Sequence, residues 1–443
     1  MTLLLLAAWV LAAQAPAAVT PVTLDQAVAA ALSTHPRIRQ SQAGIEAAGS
    51  RIQQEAASRL PKVQVGETIT YGNNPTYVFS SLLEQGRFGA DNFAIPSLNN
   101  PDALTNLRSS ITTSVSIFDG KRSNARANAA RESKTQAEST LQLTEQSVRF
   151  EVIRAYYGLL VARSAKDVSD QAVRTAESNL QRVQDRLRAG LVVDSDLLSA
   201  QVELSSLKRQ QIESNGDIAI AEATLNIWMG QPLDNSPQVS ESLTEKTFQI
   251  DDQESLIRRA IEHRPDYAAS ASMIRTAEDR VSEARANILP SARAFASLGV
   301  SSPNLTSGSS DYAFGANVTF DLFNREGKAR ISEARSAQTS AEAQQTERGN
   351  QIRIDVVRAV QQFQTAKQQL DVARSSVEQA TGALRIIQDR YDLGVTTITD
   401  LLRAQTEVVR ARMGVLSSRQ AYFVGYAAIL LATGELTDVR SFS

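Results

Sequence analysis

The chain has 443 residues, with 46 lysines plus arginines against 48 aspartates plus glutamates, two histidines and no cysteine. That balance leaves no basic surplus for nucleic acid, and the missing cysteines exclude disulfides, thiolate catalysis and cysteine-bound zinc. Aromatic residues, at 5%, are scarce for a compact core, whereas the long polar stretches rich in Ala, Gln, Ser and Arg have the composition of extended helices.

The chain opens "MTLLLLAAWVLAAQAPAA". The apolar run at 3–13 is too short to span a bilayer, which takes ~20 residues. Ala15 and Ala17 have the spacing of a signal-peptidase site, so residues 1–17 are expected to be an export signal. A helix over 37–59 stops at Leu60-Pro61, where proline cannot continue it. Two alternating stretches follow. In "KVQVGETITYG", Val63, Val65, Ile69 and Tyr71 share a face; in "SSITTSVSIFD", Ile111, Val115 and Ile117 oppose Ser110, Thr112, Ser114 and Ser116. Strict period two over about ten residues predicts strands with one apolar and one polar face. Residues 122–187 contain no proline and almost no glycine, and predict one helix of roughly 100 Å at ~1.5 Å per residue. After Gly190 a second helix returns, with Leu197, Leu204, Ile218 and Leu225 in a seven-residue repeat. A polar connector with Pro232 and Pro237 occupies 231–253.

The same plan then recurs. Pro36 aligns with Pro265, an offset of 265 − 36 = 229, and Gly190 with Gly394, an offset of 394 − 190 = 204. The difference, 229 − 204 = 25 residues, must sit in the first copy between Pro61 and Phe150. The second copy gives a helix over 266–288, strands in "SARAFASLGV" and "DYAFGANVTFDLF", a long helix over 328–393 and a returning heptad helix through Leu401, Val408, Val415, Tyr422 and Ile429. The expected organisation is a first repeat at 18–230, an equatorial connector at 231–253, and a second repeat with the C-terminal tail at 254–443. The fold class is mostly α with a small β part: duplicated long helical hairpins plus four strands.

Strands of this length and alternation suit a transmembrane β-barrel. Four strands cannot close, and open edges do not survive in lipid. Two chains would give eight strands and a filled interior; three would give twelve and a water-filled bore. A homo-oligomeric conduit, most simply a homotrimer, is the expectation. A small soluble sheet packed on the helices would explain the alternation as well, and a periplasmic or soluble coiled-coil scaffold without a pore is the competing reading. No other stretch reads as a membrane helix. No nucleophile motif, phosphate loop or histidine base points to an enzyme, and no cofactor or metal site is expected, because His35 and His263 are not repeat-equivalent.

Several segments carry a specific resemblance: "LDQAVAAALSTHPRI", "IFDGKR", "RLRAGLVVDSDLLSAQ", "LNIWMGQPL", "RYDLGVTTITDLLRAQ" and "LLATGEL". Together they resemble the TolC family of outer-membrane efflux channels over nearly the whole chain after residue 17. That resemblance implies a homotrimer with a twelve-stranded β-barrel in outer-membrane lipid and a periplasmic helical tunnel. It also implies a periplasmic adaptor (membrane fusion) protein and an inner-membrane pump as partners, in drug or metal efflux or as a type I protein secretion duct. By the same resemblance Asp400 and its first-copy equivalent Asp196 would line the pore entrance. Arg403 stands one turn after Asp400, where the family has a second acid, and the i, i+3 spacing would let the two pair. Tyr391 and Arg390 match positions near the closed entrance. Gly190, Leu191 and Val192, with Gly394, Val395 and Thr396, resemble the adaptor-docking tips. His35 departs from the family's more frequent asparagine. The stretch from Asn73 to Asn106 holds most of the extra 25 residues, and is expected to pack over the cell-surface mouth.

Overall fold

The computed structural model describes residues 21–239, 246–304 and 307–442. The expected export signal and part of the connector lie outside these residues. The first half runs α1 (Leu24–Thr34), α2 (Pro36–Ala57), β1 (Lys62–Gly72), α3 (Pro75–Glu84), a 3₁₀ turn (Ala90–Phe93), α4 (Ile95–Asn99), β2 (Leu104–Phe118), α5 (Arg122–Arg188) and α6 (Asp194–Met229). The second runs α7 (Gln253–His263), α8 (Pro265–Ala286), β3 (Ser291–Asn304), β4 (Ser307–Thr319), α9 (Arg325–Asp392) and α10 (Ile398–Thr433). Corresponding helices agree closely in length: 11 residues for α1 and α7, 22 for α2 and α8, 67 and 68 for α5 and α9, and 36 for α6 and α10. The chain divides into two compact units, 21–42 with 140–266 and 349–442, and 43–139 with 267–348.

The short helices α1, α3, α4 and α7 were not anticipated. Helix α1 starts at a capping box in which Thr23 and Gln26 satisfy each other's backbone N–H groups, and α7 starts where Asp252 accepts from Ser255 N at 3.0 Å. The first unit is cored by aromatic residues drawn from distant segments. Tyr157 stacks on Phe423 at 4.5 Å, Phe248 of the connector on Tyr426 at 4.0 Å, and Phe363 on Tyr422 at 5.0 Å. A scarce residue type is thus concentrated where three helices and a loop must be welded. Helix α10 is long and apolar enough by composition to cross a membrane, contrary to expectation. Its aromatic face is instead buried in this core: Tyr422, Phe423 and Ile429 are each under a twentieth exposed.

The second unit holds an antiparallel meander in the order β1-β2-β3-β4. Its register puts Val63, Val65, Ile69, Tyr71, Ile111, Leu298, Val300, Tyr312, Phe314 and Val318 on one face, largely exposed in a single copy. Gln64, Thr68, Asn106, Arg108, Ser110, Thr112, Ser297, Asn317 and Thr319 lie on the other. One acid interrupts the apolar face: Glu67, which accepts a hydrogen bond from its cross-strand neighbour Ser109. Strand β4 differs from expectation. It begins four residues earlier and ends at Thr319, so Phe320 and Leu322 are not in the strand. Asp321 and Asn324 turn the chain there, and Asn324 Oδ1 accepts from Gly327 N at 2.6 Å to start α9.

Candidate functional site

Both helical hairpins turn by the same local chemistry. Gly190 and Gly394 adopt left-handed backbone at φ +71° and +74°. Leu191 N donates to Arg186 O and Val395 N to Arg390 O, each at 2.9 Å, closing Schellman motifs. A Cβ at either glycine would meet nothing within 4 Å, so backbone conformation alone demands the residue. Around these turns Leu191, Val193, Leu393 and Val395 stand 62–78% exposed. Val192 does not join them. It packs inward, and Thr396 donates to Asp400 at 2.9 Å. The expected docking tips therefore expose Leu191 and Val395, together with Val193 and Leu393, which sequence reasoning passed over.

Beneath the tips lies a shared core. Val183 of α5, Ala200 of α6, Tyr391 of α9 and Ile398, Leu401 and Leu402 of α10 are buried against one another, flanked by Leu180, Leu197, Leu384 and Ile387. Tyr391 is thus a core residue, 5% exposed, and its hydroxyl has no hydrogen-bond partner among the described residues. The residue that ties the tips together is Arg186. Its guanidinium lies 4.5 Å from the Tyr391 ring centroid, donates to Tyr391 O at 3.1 Å and pairs with Asp392 at 3.3 Å. Arg186 is the repeat twin of Arg390, since 390 − 186 = 204, the tip offset. Sequence reading chose Arg390, which is exposed; the internal alignment held the signal for Arg186.

Asp400 and Asp196 occupy matching helix starts. The Asp400 carboxylate accepts from Thr397 Oγ1 at 2.7 Å, Thr396 Oγ1 at 2.9 Å and Thr397 N at 3.3 Å. These bonds, the Thr397 hydroxyl first, hold its carboxyl below the ordinary range. Arg403 forms no ion pair with Asp400 among the described residues, contrary to the expected i, i+3 pair. The carboxylate is committed to its own helix cap, and Arg403 contributes only a distant Coulomb attraction. Asp196 accepts from Val193 N at 3.4 Å, half of the same box, because valine at the cap has no hydroxyl to return the bond. The structure therefore brings Asp196, Asp400, Arg403, Arg390 and Tyr391 to the hairpin ends without joining them in one cluster.

Duplicated helical hairpins ending in exposed apolar turns, with a four-stranded sheet that is apolar on one face and polar on the other, define a subunit of an outer-membrane channel-tunnel. A profile of the outer membrane efflux protein family matches residues 27–231 and 256–435, and the chain belongs to that family. The pyoverdine export outer membrane protein OpmQ of Pseudomonas aeruginosa is 24% identical over 410 residues, covering 90% of this chain and 80% of its own. Outer membrane protein TolC of Escherichia coli is 21% identical over 423 residues, covering 91% and 80%. In fold, the crystal structure of the Campylobacter jejuni CmeC outer membrane channel superposes with a TM-score of 0.80 at 18% identity, over 94% of this chain and 86% of that one. The protein is an outer-membrane efflux channel with a large periplasmic helical part, and its family consists of channel proteins.

Proposed function

We propose that three copies of this chain form a passive export duct, without catalysis of its own, which docks through its hairpin tips on a periplasmic adaptor served by an inner-membrane pump. The carrying observation is the sheet. Its outer edges, on β1 and β4, have no strand partner among the described residues of one copy, and its apolar face is solvent-exposed. A bilayer accepts such a face only when every edge is paired, and twelve strands from three copies satisfy that with a bore to spare. Helix α6 supports the trimer: Leu198, Val202, Ile212, Ile220 and Ile227 are 56–71% exposed along it, a stripe for a neighbouring copy to cover. The repeats 18–230 and 254–443, with 231–253 between them, are the duplicated halves on this reading.

The tips serve docking because Leu191, Val193, Leu393 and Val395 are apolar, exposed and held on rigid turns. Asp196, Asp400 and Arg403 line the entrance, and the Arg186–Tyr391–Asp392 contact sets its resting width. The test is mass by light scattering in detergent, followed by conductance in a planar bilayer. A trimer with stepwise conductance supports the duct. A soluble monomer or dimer that never conducts would mean the sheet is no barrel wall.

A further inference from the structure

The segment 73–103 between β1 and β2 does not splay outward from the sheet. It folds back across the polar face. Tyr77 of α3 donates its hydroxyl to Thr70 O of β1 at 2.8 Å and to Leu104 O of β2 at 3.2 Å. Glu84, at the end of α3, accepts from Arg108 of β2 at 3.3 Å and from Ser301 of β3 at 3.2 Å. Arg108 in turn makes a bidentate pair with Asp311 of β4, both bonds at 3.0 Å. Gln85 donates to Asn106 Oδ1 and Thr105 O at 2.9 Å. Gly86 passes Ser309 of β4 so closely that a Cβ there would lie 3.5 Å from the serine Cβ. One short helix thus bridges all four strands. It buries Ser81, Gln85, Asn106 and Ser301 to 7% exposure or less.

The polar face is the lumenal face if the sheet is a barrel wall, so α3 lies inside the bore. Twelve strands ~4.8 Å apart and tilted ~40° enclose a backbone circle roughly 24 Å across. Three helices, each about 10 Å wide with side chains, occupy a circle of roughly 21 Å when packed together. Three copies of α3 therefore nearly fill the outer mouth. The same segment exposes Leu83, Phe93 and Ile95 at 53–73%, beside the edge-to-face contacts of Phe88 with Phe79 at 4.7 Å and with Phe93 at 5.0 Å. Apolar side chains on a segment confined to a threefold mouth are covered by the same segment of a second copy.

We propose that α3 of each chain, latched to the wall by Glu84, Arg108 and Asp311 and meeting its copies through Leu83, Phe93 and Ile95, constricts the outer mouth of the channel. This rests on the channel reading above. Its ligands are its own copies, and the latch is ionic, so release is favoured by whatever competes for Arg108.

The test uses the full-length protein in planar bilayers, with neutral polyethylene glycol added on the side that carries the segment. The conductance of the wild type is expected to ignore polymers as wide as a helix. Replacing 75–101 by a short Gly-Ser turn admits them, with loss of conductance, and Arg108→Ala does so in part. Adding Gly86→Cys and Ser309→Cys to Arg108→Ala controls for misfolding: their Cβ separation of 3.5 Å suits a disulfide, and the strain of a side chain at Gly86, φ +64°, is the same in the oxidised and reduced forms that are compared. Oxidation restores exclusion and reduction releases it. A shortened variant as polymer-tight as the wild type overturns the constriction, and an Arg108→Ala variant identical to the wild type overturns the latch. If neither the wild type nor any variant conducts, the channel reading itself fails and the proposal with it.

Discussion

Removing the Arg186 side chain should loosen the periplasmic entrance, by an amount that follows from its three contacts. The guanidinium, whose side chain is 27% exposed, lies over the buried Tyr391 ring and contributes about 0.5–1 kcal/mol. Its charged hydrogen bond to Tyr391 O contributes about 1.5 kcal/mol. The pair with Asp392, whose side chain is 50% exposed, adds roughly 0–1 kcal/mol. If opening breaks all three, Arg186→Ala removes about 2–3.5 kcal/mol per chain, and at 1.4 kcal/mol per decade the closed-to-open ratio falls roughly 30- to 300-fold. Arg186→Lys keeps the charge but not the planar fork, so it should recover only the Asp392 contribution. Single-channel open probability reads this directly, with Arg390→Ala, the exposed repeat twin, as the control expected to change nothing. Equal open probabilities for Arg186→Ala and Arg390→Ala would refute the reasoning.

Tyr391→Phe should raise stability by about 1 kcal/mol, because it deletes a buried hydroxyl with no partner, whereas Tyr391→Ala should cost about 3–5 kcal/mol; denaturant midpoints in detergent check both. Any cation preference due to Asp400 should persist from neutral pH down to about 4. Its carboxyl is held below 3.8, so the cap's stabilisation is present above that value and is lost as the pH falls through the depressed pKa. A reversal potential that already collapses between pH 6 and 5 would contradict this. His35 is buried against Trp228, stacked at 4.9 Å, and burial first, then Arg37, lowers its pKa below 6.5. The folded state therefore favours the neutral ring, and stability should decline as the pH falls below 6.5; His35→Asn should flatten that decline in thermal melts at pH 5 and 7.5. Gly230→Ala and Gly434→Ala should each cost about 1–3 kcal/mol, since both have positive φ and a Cβ would lie 2.5 Å from Thr34 Oγ1 or 3.0 Å from the Arg264 backbone.

What could be read from the sequence was whatever repeats or has a period. The long helices, the two glycine turns and the four strands each announce themselves locally, and the duplication checks every one against a twin. Strand β1 was bounded to the residue because Pro61 precedes it and Gly72 ends it. Side-chain partners were legible only where they are near in sequence, as in the Thr397–Asp400 box, whose letters spell its own geometry. The Arg186–Tyr391 contact joins residues 205 apart, and no local rule pairs them. The segment 73–103 marks the same limit from the other side. Asn74-Pro75 signals a helix start, but that Glu84 reaches Arg108 and Ser301, and Arg108 in turn Asp311, depends on a register between strands about 200 residues apart in the chain. That register also decides which face carries the segment. A one-residue slip of β2 against β3 would turn Arg108 outward with the apolar side chains. The same alternation that lets the sheet face lipid therefore fixes the constriction inside it, and a change that shifts one must disturb the other.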